Sequence, residues 1–165
     1  AQEMTSLAAR CVGVESEEML VCSTGLIGME FPMALIRKNI GNIKVDEEGG
    51  HSFAKSIMTT DTFPKEIAVT TVIDGRKVTL GGVAKGVGMI HPNMATMLCF
   101  ISTDVEIEAG ILQETLNEAV DASFNMISVD GEQSTNDTVL AFANGASGPT
   151  IIIVISFLIT YANTT

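Results

Sequence analysis

The chain has 165 residues and a mass of 17.4 kDa, room for one hydrophobic core and too little for two. Twenty acids against nine cations give a net charge of −11. Residues 1–85 hold eleven acids and all nine cations, while residues 86–165 hold nine acids and no Lys or Arg. Eighty residues without a cation cannot track a phosphate backbone or an anionic bilayer, so neither nucleic acid nor membrane is an expected partner.

A hydrophobic content of 46% and a mean hydropathy of +0.35 argue against disorder. Nine Met beside one Tyr and no Trp point to an aliphatic core with soft filler. Cys11, Cys22 and Cys99 are odd in number and widely spaced. They read as reduced, mostly buried thiols of a cytoplasmic protein, with no disulfide framework and no zinc pattern.

In chain order, residues 3–12 read as an amphipathic helix stopped by Gly13. Met19–Cys22 reads as a short strand running into the turn Ser23-Thr24-Gly25-Leu26-Ile27-Gly28, where Gly25 would supply a positive φ. Pro32 suits a first helical turn, with Leu35, Ile36 and Ile40 as its apolar stripe. A charged loop over 46–50 leads to a second helix carrying Phe53, Ile57 and Met58. Ile67, Val69, Thr71 and Ile73 alternate. Asp74-Gly75 is a type I′ hairpin signal, and Val78 and Leu80 answer on the return strand.

Residues 81–92 read as a Gly-rich connection and 96–102 as a continuous apolar strand. Acids over 104–108 precede a helix predicted over 109–125, with Leu112, Leu116, Val120 and Phe124 at i+4 spacing. Asp130-Gly131 marks a turn and 138–142 a strand. Ile151–Ile159 is too short for the ~20 residues of a membrane span and reads as a buried strand. The fold class is α+β or α/β. The chain opens without an initiator Met, and a truncated N-terminus is expected.

Nucleotide motifs fail on spacing. Gly81-Gly82-Val83-Ala84-Lys85-Gly86-Val87-Gly88 lacks Ser or Thr after Gly-Lys, and Met89-Ile90-His91-Pro92 cannot open the helix a dinucleotide fingerprint needs. His51 and His91 have no partner at ligand spacing, and residues 130–137 lack the oxygen ladder of a calcium loop, so no metal is expected. Gly145-Ala146-Ser147-Gly148 has the wrong spacing for a hydrolase elbow. Thr96, opening an apolar strand, has an ordinary explanation as a strand former.

The run Gly81 to Asp104, with Met94-Ala95-Thr96-Met97-Leu98 at its centre, resembles the signature of the ornithine acetyltransferase (glutamate N-acetyltransferase) family. Residues 23–28, Met58-Thr59-Thr60-Asp61-Thr62-Phe63-Pro64-Lys65, and residues 123–139 resemble further family segments in the correct order, to about Gly148. The resemblance implies an α+β, Ntn-hydrolase-like layered αββα fold. Residues 1–165 would form one partial catalytic domain: 1–95 part of an α fragment, 96–148 part of a β fragment, and 149–165 a tail unlike the family.

It further implies self-cleavage between Ala95 and Thr96, followed by acetyl transfer from N-acetylornithine to glutamate through an acetyl-Thr96 ester. Scission converts an amide nitrogen into an α-amine of pKa about 7.7–8.0, a base for the Thr96 hydroxyl near neutral pH. Thr24 and Gly25 would form the oxyanion hole, and Thr59 and Lys85 would contact substrate. For Lys85, the last cation of the chain, the alternative is a snorkelling surface lysine. No cofactor is implied, although acetyl-CoA serves as acetyl donor in part of the family. The implied setting is cytoplasmic, with α and β fragments assembling as a heterotetramer. A Glu, an Asn and a Thr of the family's substrate pocket lie downstream and have no counterpart here. The competing expectations are an N-terminal-nucleophile aminopeptidase or amidase, with water as acceptor, and a catalytically incompetent remnant.

Overall fold

The computed structural model describes residues 1–26, 28–91, 94–95, 97–148 and 150–151, with the backbone alone at 94–95 and 150–151. The chain divides into two compact units, residues 1–49 and 50–165.

In the first unit, α1 (Gln2–Val12) ends where expected, because Gly13 adopts the left-handed conformation at φ 77° and its N–H returns to the Ala9 carbonyl. A 3-10 turn over Ser16–Glu18 is held by a reciprocal capping box between Glu15 and Glu18. Helix α2 (Met33–Asn39) starts after Pro32. Arg37 grips Glu3 through two hydrogen bonds of 2.5 and 3.0 Å, although both side chains are half-exposed and the pair contributes little. The strand expected over 19–22 does not form. Its peptide groups meet no ladder among the described residues, and an extended segment without a partner is not a strand.

The second unit is built on a four-stranded sheet of order β1-β2-β5-β7, from β1 (Lys65–Ile73), β2 (Arg76–Lys85), β5 (Leu98–Thr103) and β7 (Thr138–Ala143). Strands β1, β2 and β5 are antiparallel neighbours, and β7 lies parallel to β5. That parallel pair requires a crossover, which α4 (Ala109–Asp121) provides. Two short pairs complete it: β3 (Ile90–His91) with β4 (Met94–Ala95), antiparallel, and β6 (Glu106–Ile107) with β8 (Thr150–Ile151), parallel. The fold is α+β.

Helix α3 (Gly50–Ser56) packs on β1 and β2, burying Ala54 completely and setting Phe53 edge-to-face on Phe100 at 5.0 Å. Val78, Ile90, Leu98, Cys99 and Val105 are buried with it. Of the cysteines only Cys99 is buried, which pushes its thiol up to about 12, whereas Cys11 is exposed.

Several expected boundaries move: α3 ends at Ser56, short of Ile57 and Met58, and β5 begins at Leu98. Residues 81–85 are strand rather than loop, because Gly81 and Gly82 are paired on both sides, to Ala68 and Ile67 of β1 and to Ser102 and Ile101 of β5. Helix α4 stops at Asp121, not at 125. Ser123 leaves helical geometry at φ −136°, ψ −84°, with its hydroxyl bonded back to Ala119, and a 3-10 turn over Phe124–Met126 follows. At the other end the Glu108 carboxylate caps the helix on the Ile111 N–H, and the N–H groups of Gly110 and Ile111 hold its pKa below the ordinary value. The apolar run beyond Ile151 lies outside the described residues.

Candidate active site

Lys85 ends β2 and is 1% exposed, the largest side chain buried so deeply among the described residues. The snorkelling surface lysine is therefore excluded. Burial lowers its pKa, while the carboxylates of Asp61 and Asp137 pull the other way and keep the ammonium form accessible. A desolvated ammonium interacts with an anion far more strongly than one in water.

Asp61 is the hub on one side. Its side chain is 1% exposed. Oδ1 accepts from Lys65 Nζ at 2.5 Å and from the Gly86 N–H at 2.8 Å, and Oδ2 accepts from the Thr59 N–H at 3.4 Å. One carboxylate thus draws together the Thr59 turn and the residue after Lys85, two segments that the sequence placed separately in the substrate site. Burial alone would raise the Asp61 pKa, but Lys65, Gly86 and Thr59 together hold it below the ordinary value.

Beyond Lys85 the chain turns sharply. Met89 takes a left-handed conformation at φ 57°, uncommon for a residue with a side chain. Asp130 fixes it there, its two oxygens accepting from the Met89 and Ile90 N–H groups at 2.5 and 2.9 Å. These amides hold the Asp130 carboxyl below its ordinary pKa. Ala95, the residue before the expected scissile bond, sits in β4 opposite Ile90. Met97, after it, is held on both sides. Its N–H donates to Asp137 Oδ1 at 2.9 Å, and its carbonyl accepts from the Thr138 N–H at 3.0 Å. Thr96 itself lies outside the described residues.

Thr24 is half-buried and Gly25 exposed, on a stretch without regular structure in the first unit. Gly25 is not left-handed; Gly28, at φ 82°, carries the positive φ expected of that turn. Thr59 is exposed. Among the described residues no group of three His, Cys, Asp or Glu could hold a metal ion, and no helix is long and apolar enough to cross a membrane. An open cleft of about 320 Å³ between α4 and β7 is lined by Met97, Asn117, Val120, Phe124 and Asp137 among others. The sequence marks Asp130 as a turn residue and places none of Asp61, Asp130 and Asp137 among the site residues. Each lies inside a family-like segment, but the signal that separates them from other acids is burial and backbone contact.

A sequence model described as the ArgJ family matches residues 1–160, past the Gly148 limit expected from the sequence. The chain is 53% identical over 150 residues to the arginine biosynthesis bifunctional protein ArgJ of Symbiobacterium thermophilum, covering 90% of this chain and 37% of that protein. It is 52% identical over 153 residues to a glutamate N-acetyltransferase of Methanocaldococcus jannaschii, covering 90% and 38%. The crystal structure of the arginine biosynthesis bifunctional protein argJ from Bacillus halodurans superposes with a TM-score of 0.53 at 43% identity, over 58% of this chain and 51% of that one. The chain spans under two-fifths of the length of these curated relatives.

Proposed function

The chain belongs to the ArgJ family, and from that membership we propose that it serves acetyl transfer from N-acetylornithine to glutamate in arginine biosynthesis, through a covalent acetyl-Thr96 enzyme. The observation that carries this reading is the family match over residues 1–160, which contains Thr24, Gly25, Thr59, Lys85, Ala95 and Thr96. The proposed setting is the cytoplasm, in a layered αββα fold whose α and β fragments assemble as a heterotetramer.

In this reading the Thr96 hydroxyl oxygen attacks the Ala95 carbonyl carbon, the C–N bond breaks, and water hydrolyses the resulting ester. The products are an Ala95 carboxylate and a free Thr96 α-amine. That amine then takes the hydroxyl proton as Thr96 attacks the acetyl carbon of N-acetylornithine, and ornithine leaves with the proton. Glutamate's amine takes the acetyl group in the second half-reaction. Both steps pass through an oxyanion, for which the Thr24 hydroxyl and the Gly25 N–H are the proposed donors, each worth about 2.7–4 kcal/mol. The buried Lys85 ammonium supports the expected pairing with a substrate carboxylate, and the Asp61 contact that joins Thr59 to Gly86 supports placing Thr59 in the same subsite.

Intact mass and N-terminal sequencing of the purified chain test the proposal. A fragment beginning Thr-Met-Leu-Cys is expected, and Thr96→Ala should stay whole at 17.4 kDa. The cleaved protein should gain one acetyl group from N-acetylornithine and lose it to glutamate. A folded chain that never cleaves refutes the processed enzyme, and loss of the acetyl group to water with no transfer to glutamate selects the amidase.

A further inference from the structure

Lys85, Leu98 and Thr138 form one row across β2, β5 and β7, since Lys85 pairs with Leu98 and Leu98 with Thr138. Met97 and Asp137 immediately precede this row on the two parallel strands. We infer that Asp137 is a positioning residue, whose carboxylate holds the backbone at Met97 and carries the charge that answers the buried Lys85 ammonium.

The sheet ladder explains only half of the contacts at Met97. The Thr138 N–H donating to the Met97 carbonyl belongs to the parallel pairing, whereas the bond from the Met97 N–H to Asp137 Oδ1 at 2.9 Å comes from a side chain. A hydrogen-bond acceptor at the start of a strand has a bland role as a cap, and Asn would fill it as well as Asp. Two features go beyond a cap. Asp137 Oδ2 is enclosed and has no hydrogen-bond partner among the described residues, so the carboxylate is not simply open to water. Lys85, itself withdrawn from solvent, is the cation that attracts it. Burial raises the Asp137 pKa, against which the Met97 N–H, the Ser134 hydroxyl and Lys85 favour the ionised form. Lys85 therefore helps to keep Asp137 ionised, and the Oδ1 of that carboxylate is what the Met97 N–H meets. Met97 follows the proposed nucleophile directly in the chain, so a change of charge at Lys85 reaches the neighbourhood of Thr96 through the field at Asp137 and its hydrogen bond to Met97.

The effect on scission rests on the proposed function; the tie itself does not. The test uses the 165-residue chain as wild type, Asp137→Asn and Asp137→Ala, with amide exchange at Met97 and titration of the Lys85 side chain followed by NMR. Asp137→Asn keeps an acceptor, so Met97 exchange should hold, but the lost anion should lower the Lys85 pKa further. Asp137→Ala should speed Met97 exchange by about tenfold or more, the equivalent of one charge-assisted hydrogen bond. Unchanged Met97 exchange in the Ala variant, or an unmoved Lys85 titration in the Asn variant, overturns the inference. Should the Ala variant fail to fold, the isosteric Asn variant decides through Lys85 alone. Where the wild type cleaves, Asp137→Asn should slow scission and displace its pH profile, and an unaltered profile also overturns the inference. A wild type that does not cleave refutes the proposed function, while Met97 and Lys85 still decide the role of Asp137.

Discussion

Asp61 keeps its charge inside the protein because three donors meet it there: the Lys65 ammonium and the N–H groups of Gly86 and Thr59. Burial opposes ionisation, yet the net effect holds the carboxyl below its ordinary 3.8. A carboxylate shifted downward stabilises the native state fully at pH above its ordinary value. That contribution is lost as pH falls below 3.8 and through the folded value. Asp61→Asn preserves shape but leaves Lys65, whose side chain is only 18% exposed, without its counter-ion. The expected cost is about 1.5–3 kcal/mol at neutral pH. Urea denaturation at a series of pH values checks this: the gap between wild type and variant should close as pH drops below 3.8. A gap that stays constant down the acid limb would show that the charge is not what Asp61 contributes. Lys85 was legible in the sequence as an isolated cation among glycines. Asp61 and Asp137 were not, although both stand inside segments that carry the family resemblance. What distinguishes them is contact with backbone 25 and 40 residues away, at Gly86 and Met97, and an acid's burial leaves no mark on local composition.

At the scale of elements, what could be read was what local chemistry decides. The β1–β2 turn is such a case: Asp74 and Gly75 sit at φ 49° and 74°, the paired positive values of a type I′ hairpin. A Cβ at Gly75 would meet nothing within 4 Å, so the only penalty of Gly75→Ala is conformational, about 1–2 kcal/mol. Gly82, inside β2, differs. Its φ is not left-handed, and a Cβ there would meet Ile67 Cγ2 at an ordinary 3.8 Å. Gly82→Ala should be neutral or stabilising by up to about 1 kcal/mol. Thermal unfolding of the two variants separates the explanations, and equal destabilisation would deny the turn its special geometry. The same contrast explains the misread elements. Gly81 and Gly82 argue locally for a loop, and pairing on both sides overrides them. Residues 19–22 have strand-forming side chains and no partner strand among the described residues, so propensity alone produces nothing.

At the scale of the whole molecule, the two units differ in what holds them. Among the described residues of 1–49 a single apolar side chain, Ala9, is buried, while Leu20, Leu26, Met29, Leu35, Ile43 and Val45 are each more than 60% exposed. Its helices have eleven and seven residues, shorter than the ~12–15 at which an isolated helix becomes even marginal in water. Residues 50–165 bury Ala54, Val78, Ile90, Leu98, Cys99 and Val105 around a sheet whose two inner strands are hydrogen-bonded on both sides. Local opening costs least where few apolar contacts are broken. Native-state hydrogen exchange on the isolated chain should therefore show α1 and α2 amides exchanging through local opening, far faster than those of β2 and β5, and limited proteolysis should first cut before residue 50. The chain spans under two-fifths of the length of its curated relatives, and the remainder of a family-length protein lies outside it. Adding that remainder in trans gives the experiment its second arm. If α1 amides in the isolated chain already exchange as slowly as those of β5, the contacts within residues 1–49 do not account for its stability, and the division into a weak and a strong unit falls.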